Sequence, residues 1–158
     1  MHPTIWFFYI IIIILGTEVL AYLWHRYGSH SDYIPGLHDT HRIHHMINSQ
    51  NADDDFVWIL LTIVSAEIAL GILYLSNVFP ILLCIFCIVG LIISTLVFYW
   101  NWWIHQAYHY PDHWLNIFDW FQSDKLRHFV HHYNPTHNYG IASHFTDKIM
   151  DSWIDPLS

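Results

Sequence analysis

Three long apolar runs limit what this chain can become more than any other feature. A bilayer core of about 30 Å is crossed by roughly 20 mostly apolar helical residues, and residues 5–24, 56–75 and 78–103 each reach that length. The first opens on Trp6, Phe7, Phe8 and Tyr9 and closes on Tyr22 and Trp24, rings that settle at headgroup level. Glu18 is its only ionisable member, and it runs straight into histidines with no small-residue cleavage site, so it reads as a span and not as a cleaved leader. The second is interrupted only by Thr62, Ser65 and Glu67, and Ser76 and Asn77 ahead of Pro80 predict a tight connection to the third. With 54% hydrophobic and only 11% charged residues, a chain of 158 residues cannot clothe itself in polar surface. The expected fold is an all-α integral membrane protein. It has about three transmembrane helices and a histidine-rich helical cap, in a single domain over residues 1–158.

Charge orients it. Arg26, Arg42, Lys125, Arg127 and Lys148 fall on one side if three spans are crossed, which makes that side cytoplasmic and places every histidine except His2 there. Thirteen acidic residues against five basic ones, a formal charge of −8, exclude an unspecific nucleic-acid binder. Cys84 and Cys87 lie inside an apolar run, so no disulfide framework is expected. Asp53, Asp54 and Asp55 read as a solvated cap on the second span. Trp114, Leu115, Phe118 and Phe121 predict a helix lying along the interface.

The fifteen histidines outnumber Lys plus Arg, and no packing or solubility requirement asks for that. Ten of them fall in four clusters: His25 and His30; His41, His44 and His45; His105 and His109; His128, His131 and His132. The second and fourth share one spacing. On a helix, positions i, i+3 and i+4 share a face, so each of these triplets can converge, as can His105 and His109. His25 and His30 share no face of an uninterrupted helix, and Gly28 is read as a breaker that turns the chain back. Packing so many imidazoles together without a ligand wastes donors and acceptors, and protonating several at once sets them against each other. Metal resolves both. Imidazole suits Fe, Zn, Cu or Ni, whereas structural zinc closes with four ligands and favours Cys, and ten ligands suffice for two ions. His2, His38, His113, His137 and His144 stand outside the pattern; His38 and His113 are the best spare ligands by spacing from His41 and His109.

The boxes His25-x4-His30, His41-x2-His44-His45, His105-x3-His109 and His128-x2-His131-His132 resemble those of the membrane-bound fatty acid hydroxylase and sterol desaturase superfamily. The tail Asn138-Tyr139-Gly140-Ile141-Ala142-Ser143, then Phe145, Asp147 and Lys148, is similar to the segment after the last box in fatty acid 2-hydroxylases. Glu18-Val19 ahead of His25-Arg26-Tyr27 also looks like bacterial carotenoid hydroxylases, whose third box usually has four intervening residues where this chain has three. The resemblance implies that the ten boxed histidines bind two Fe ions, with Asn138, Tyr139 and Gly140 shaping the surroundings. It further implies that O2 and electrons serve to hydroxylate or desaturate an unactivated C–H bond of a membrane lipid, a fatty acyl chain first among candidates. Carotenoid or sterol chemistry, zinc as occupant and a non-catalytic metal-binding protein are the alternatives. A separate electron donor, cytochrome b5-like or ferredoxin-like, is expected, and the endoplasmic reticulum if the source is eukaryotic.

Around such a centre carboxylates usually fix the outer ring nitrogens, and Asp39, Asp112, Asp124 and Asp147 are near enough in sequence. Glu18 lies two turns before His25 on one face, and an ionisable group within a span is costly enough to be often functional. Glu67 and the cysteines read as packing. The substrate is expected from the bilayer, with Tyr99, Trp100, Trp102 and Trp103 as an aromatic belt.

Overall fold

The structure, a computed structural model, describes residues 2–47, 68, 71–72 and 80–156, and all of their regular structure is helical. Helix α1 spans Pro3–Leu23: Pro3 fits the first turn, where its missing N–H costs nothing, and the His2 ring accepts from Thr4 N. It passes without a break into a π-helical turn, Trp24–Ser29. Helix α2 is Pro35–Ile47, and α3 is Ile81–His109. A 3₁₀ turn, Trp114–Ile117, leads to α4, Asp119–Tyr133, and a short α5, Phe145–Ile149, closes the fold.

Helices α1 and α3 run side by side in the same direction. Trp6 stacks on Phe86 at 4.8 Å, Thr17 Oγ1 meets Ser94 Oγ at 2.9 Å, and Asn101 Nδ2 donates to Glu18 Oε1 at 3.0 Å. The order of contacts along both chains is the same, which defines a parallel pair. Tyr9 donates to the Phe86 carbonyl, and the absence of a side chain at Gly90 makes room for it: a Cβ there would stand 2.5 Å from the Tyr9 hydroxyl. Small and hydroxyl-bearing residues at such a seam let apolar helices approach closely. Because the pair is parallel, Ile47 and Pro80, the described ends of the flanking segments, lie at opposite ends of it.

Two helices are long and apolar enough to cross a membrane, Pro3–Ser29 and Ile81–His109. Only 6% and 11% of their most apolar windows are buried, unlike the mostly buried core helix of a water-soluble domain. The expected second span, the Ser76–Asn77 connection and the Asp53–Asp55 cap lie outside the described residues, apart from Ile68, Gly71 and Ile72, which are helical and exposed. The third run differs from expectation in its end. The helix does not stop at Trp103 but carries on to His109, so His105 and His109 belong to the spanning helix itself.

The predicted interfacial helix is also divided. Phe118 is extended (φ −103°, ψ 127°), which separates the 3₁₀ turn from α4. Leu115 and Phe121 turn inward onto Ile104, Ala107 and Tyr108, while Trp114, Ile117, Phe118 and Trp120 remain exposed. Cys84 is buried and Cys87 half-buried, both as free thiols within α3.

Candidate metal centre

The ten boxed histidines come together at the end of the helix pair, in two sets of five. His25, His30, His41, His45 and His131 form one; His44, His105, His109, His128 and His132 form the other. Within each set, one nitrogen per ring lies within 4.8 Å of all the others. In the first, His41 Nε2 is 3.1 Å from His25 Nε2, 3.0 Å from His30 Nε2 and 3.1 Å from His45 Nε2, and His30 Nε2 is 3.0 Å from His131 Nε2. In the second, Nε2 separations are 3.2 Å for His44 to His105, 3.4 Å for His105 to His109, and 2.9 Å for both His109 to His128 and His128 to His132.

The local structure explains the sorting. The first box needs residues i and i+5 brought to one side, and the π-turn with its i→i+5 hydrogen bond supplies that register: His30 N donates to His25 O at 3.2 Å. The chain does not turn back at Gly28, as the breaker reading expected. Gly28 sits inside the turn, where a Cβ would touch the Trp24 ring at 3.4 Å. In α3 the same juxtaposition arises from ordinary α-helical spacing, so x4 and x3 are two solutions to one geometry. The triplets differ from expectation too. Neighbouring helical residues point about 100° apart, so His44 and His45 straddle the seam, as do His131 and His132. Each triplet therefore divides. His41 and His45 serve the first set and His44 the second, whereas His128 and His132 serve the second and His131 the first.

Outer ring nitrogens fix the tautomers. His25 Nδ1 donates to the Tyr139 carbonyl at 2.6 Å, and His131 Nδ1 donates to the His137 carbonyl at 2.7 Å. Both protons are thus on Nδ1, and both Nε2 atoms present bare lone pairs to the centre of the first set. His132 Nδ1 is buried with no hydrogen-bond partner among the described residues. Burial presses the nearby rings toward the neutral form, with neighbouring imidazoles adding to it: His30 and His132 are pushed down to about 2 and His45 to about 4. His41, His128 and His131 are likewise held well below the usual range.

Convergent neutral lone pairs are what a cation needs. Two nitrogens at right angles about an ion, each bonded at about 2.1 Å, lie about 3 Å apart, which is the spacing within both sets. The residues present fit two metal ions. Five nitrogens and no thiolate per set differ from the four-ligand, cysteine-favouring pattern of structural zinc.

At His25 and His131 the outer nitrogen goes to a main-chain carbonyl and not to one of the expected carboxylates. Asp39 and Asp112 are exposed, and Asp124 pairs with Arg127 and lies 3.7 Å from His144. Asp147 acts one step further out. Fully buried, it accepts from Tyr139 N at 2.9 Å, Gly140 N at 2.7 Å and Ser152 Oγ at 2.7 Å, and so shapes the loop whose Tyr139 carbonyl holds His25. Gly140 is required there, because a Cβ would stand 2.6 Å from Asp147 Oδ2. Asn138 adopts a left-handed conformation (φ 54°) and clasps Ile154 through both amide atoms, at 3.0 and 2.9 Å.

Glu18 faces this loop and not the rings: Oε1 accepts from Asn101 Nδ2 and Oε2 from Ser143 Oγ at 3.1 Å, while Asn101 Oδ1 accepts from Ala142 N at 3.2 Å. His38 pairs with Asp32 at 3.0 Å, and His113 caps the 3₁₀ turn by accepting from Leu115 N, with its ring against Trp103 and Phe121. Neither belongs to the two sets. Sequence reasoning missed Tyr22, Ser152 and Asn101. Tyr22 meets Ser152 Oγ at 2.8 Å and accepts from Arg26 at 2.6 Å. Asn101 alone left a legible sign, a polar amide inside an apolar run.

Long bare helices ending in paired five-imidazole sets define a membrane metalloprotein. The fatty acid hydroxylase family model matches residues 10–152, and the chain belongs to that family, a family of oxidoreductases. No curated protein and no solved structure gives a significant match.

Proposed function

We propose that the chain is an O2-dependent di-iron enzyme that hydroxylates or desaturates the hydrocarbon part of a membrane lipid, with a fatty acyl chain as substrate. The observation that carries this reading is the division of ten histidines into two convergent sets at the end of two membrane-length helices, within a chain of the hydroxylase family. His25, His30, His41, His45 and His131 would hold one ion, and His44, His105, His109, His128 and His132 the other. Bound iron would supply the O2 chemistry that no side chain here can perform.

The chain's own residues ligate, orient and exclude water. His25 and His131 are fixed by main-chain carbonyls, and the buried Tyr108 ring stacks on His128 with centroids 5.3 Å apart, backed by the apolar core of Ile104, Ala107, Leu115 and Phe121. Hydroxylation consumes O2, two electrons and two protons for each alcohol and water formed, so a separate electron-donor protein, cytochrome b5-like or ferredoxin-like, is part of the proposal. The opposite placement of Ile47 and Pro80 supports a third crossing between them, with the rings on the cytoplasmic side by the positions of the basic residues.

The test is metal analysis of the purified protein, followed by product analysis of lipids incubated with ¹⁸O2 and a supplied reductant. About two irons per chain and an ¹⁸O-labelled or newly unsaturated lipid are expected. Tightly bound metal with neither O2 consumption nor lipid product would replace this reading with a carrier.

A further inference from the structure

A cavity of about 500 Å³ opens on the rings, and its mouth is cationic in an acidic chain. His30, His41 and His45 of the first set and His132 of the second line it, together with Arg26 and Arg42. These are two of only five basic residues against thirteen acidic ones. Among the described residues neither guanidinium has a carboxylate within ion-pair distance, whereas Arg127 pairs with Asp124. The Arg26 guanidinium is held in place from below, 5.3 Å from the Tyr27 and Tyr139 ring centres and donating to Tyr22 Oη at 2.6 Å. Arg42 projects from the exposed side of α2, next in sequence to His41.

A fixed arginine and an adjustable one, neither ion-paired among the described residues, at the rim of a cavity that ends on the rings, make a receptor for an anion attached to something that must reach the rings. The concavity favours a small head over a protein surface, since specific protein contacts spread over roughly 800 Å² per partner, while pockets of about 300–1,000 Å³ hold small ligands.

We propose that this mouth binds the anionic head, carboxylate or phosphate, of the lipid substrate. Arg26 and Arg42 thereby select acidic lipids over neutral ones. The proposal rests on the lipid-oxidising reading for its use, but the binding site stands on its own residues.

The experiment measures equilibrium binding of radiolabelled hexadecanoate, hexadecyl phosphate and hexadecanol to the full-length, metal-loaded protein in neutral detergent, with inorganic phosphate alone as a competitor. Hexadecanoate and hexadecyl phosphate should bind at least about tenfold more tightly than hexadecanol, the scale of one charge-assisted contact. Arg42→Gln should erase most of that preference while leaving hexadecanol binding unchanged. Arg26→Gln should do the same where it folds; Arg42, being exposed, keeps the test decisive if it does not.

Equal binding of acid and alcohol by the wild type would overturn the proposal. So would inorganic phosphate binding in an Arg42-dependent way with no lipid preference, which would make the mouth a free-anion site. Unchanged lipid affinities with slower reduction by an acidic donor protein in Arg42→Gln would overturn it in favour of a docking surface. If no lipid is oxidised yet acid binding remains arginine-dependent, the lipid-oxidising reading fails and the mouth stands. If hexadecanol and hexadecanoate are oxidised with equal kcat/KM, the mouth fails and that reading stands.

Discussion

The His45 and His132 rings stack face to face, with centroids 4.3 Å apart and planes 19° from parallel, although each belongs to a different set. Among the ring contacts between the two sets this is the shortest and the only stacked one below 5 Å, and it joins α2 to α4. The two sets are therefore mechanically joined but chemically separate, because each triplet sends rings to both. A single lost ligand should weaken its own ion most. His41→Ala should lower metal content toward about one ion per chain with the second set still loaded, and His44→Ala should do the converse. Metal analysis with an absorption or Mössbauer signature distinguishes the two partly loaded forms. Identical spectra from the two variants would contradict the assignment of sets.

Protons compete with metal for the same nitrogens, and they also compete with folding. His45 and His144 are pushed to about 4, and His30 and His132 to about 2, chiefly by burial. The unfolded chain takes up protons at its histidines near pH 6.5 while the folded chain refuses them until far lower. The stability linked to these rings is therefore complete above pH 6.5 and is lost as pH falls from there toward 4 and below. Metal-free protein should show a falling Tm between pH 7 and pH 5, and metal should be released over the same interval. A Tm that rises as the solution is acidified would refute the sign.

Asp147 holds its loop by three hydrogen bonds while touching no histidine. Removing it leaves buried donors at Tyr139, Gly140 and Ser152 without an acceptor, each costing about 1–3 kcal/mol. Asp147→Ala should lower stability by about 3 kcal/mol or more and loosen the Tyr139 carbonyl from His25. Asp147→Asn, which keeps one acceptor oxygen, should fall between it and the wild type. Denaturant melts give the first quantity and metal dissociation rates the second. Loss of stability with metal retention unchanged would show that the loop does not set the ligand.

The apolar runs and the boxed histidines were legible because they depend on composition and short spacing, which a bilayer and a metal ion impose directly. What was not legible depends on backbone detail. Nothing in Trp24–Ser29 announces a π-turn, so the x4 box looked like a chain reversal. The division of His41 from His44 follows from a 100° step that matters only once a second helix fixes where the seam lies. The acceptors for His25 and His131 are main-chain carbonyls, which every residue carries and no pattern marks. Asp147 was singled out, but its role through the loop backbone needed the fold, as did the facing of Glu18 toward Asn101 and Ser143.

Glu18 ties three parts together at one point: α1, which carries it, α3 through Asn101, and the tail loop through Ser143. Inside a membrane helix an acidic side chain is costly unless its oxygens are satisfied, and here each oxygen has a donor. Both bonds are donated to the carboxylate, so Glu18→Ala strands the Asn101 amide and the Ser143 hydroxyl, at a cost of about 1–3 kcal/mol. Glu18→Gln can keep its amide oxygen toward Asn101 and donate its NH2 to a reoriented Ser143 hydroxyl. It should therefore restore most of the stability. Because the tail loop also carries the Tyr139 carbonyl, Glu18→Ala should speed metal loss to a chelator severalfold, and Glu18→Gln should return it near the wild-type rate. A Gln variant as impaired as the Ala variant would mean that the charge itself, and not the clamp, is what the chain retains Glu18 for.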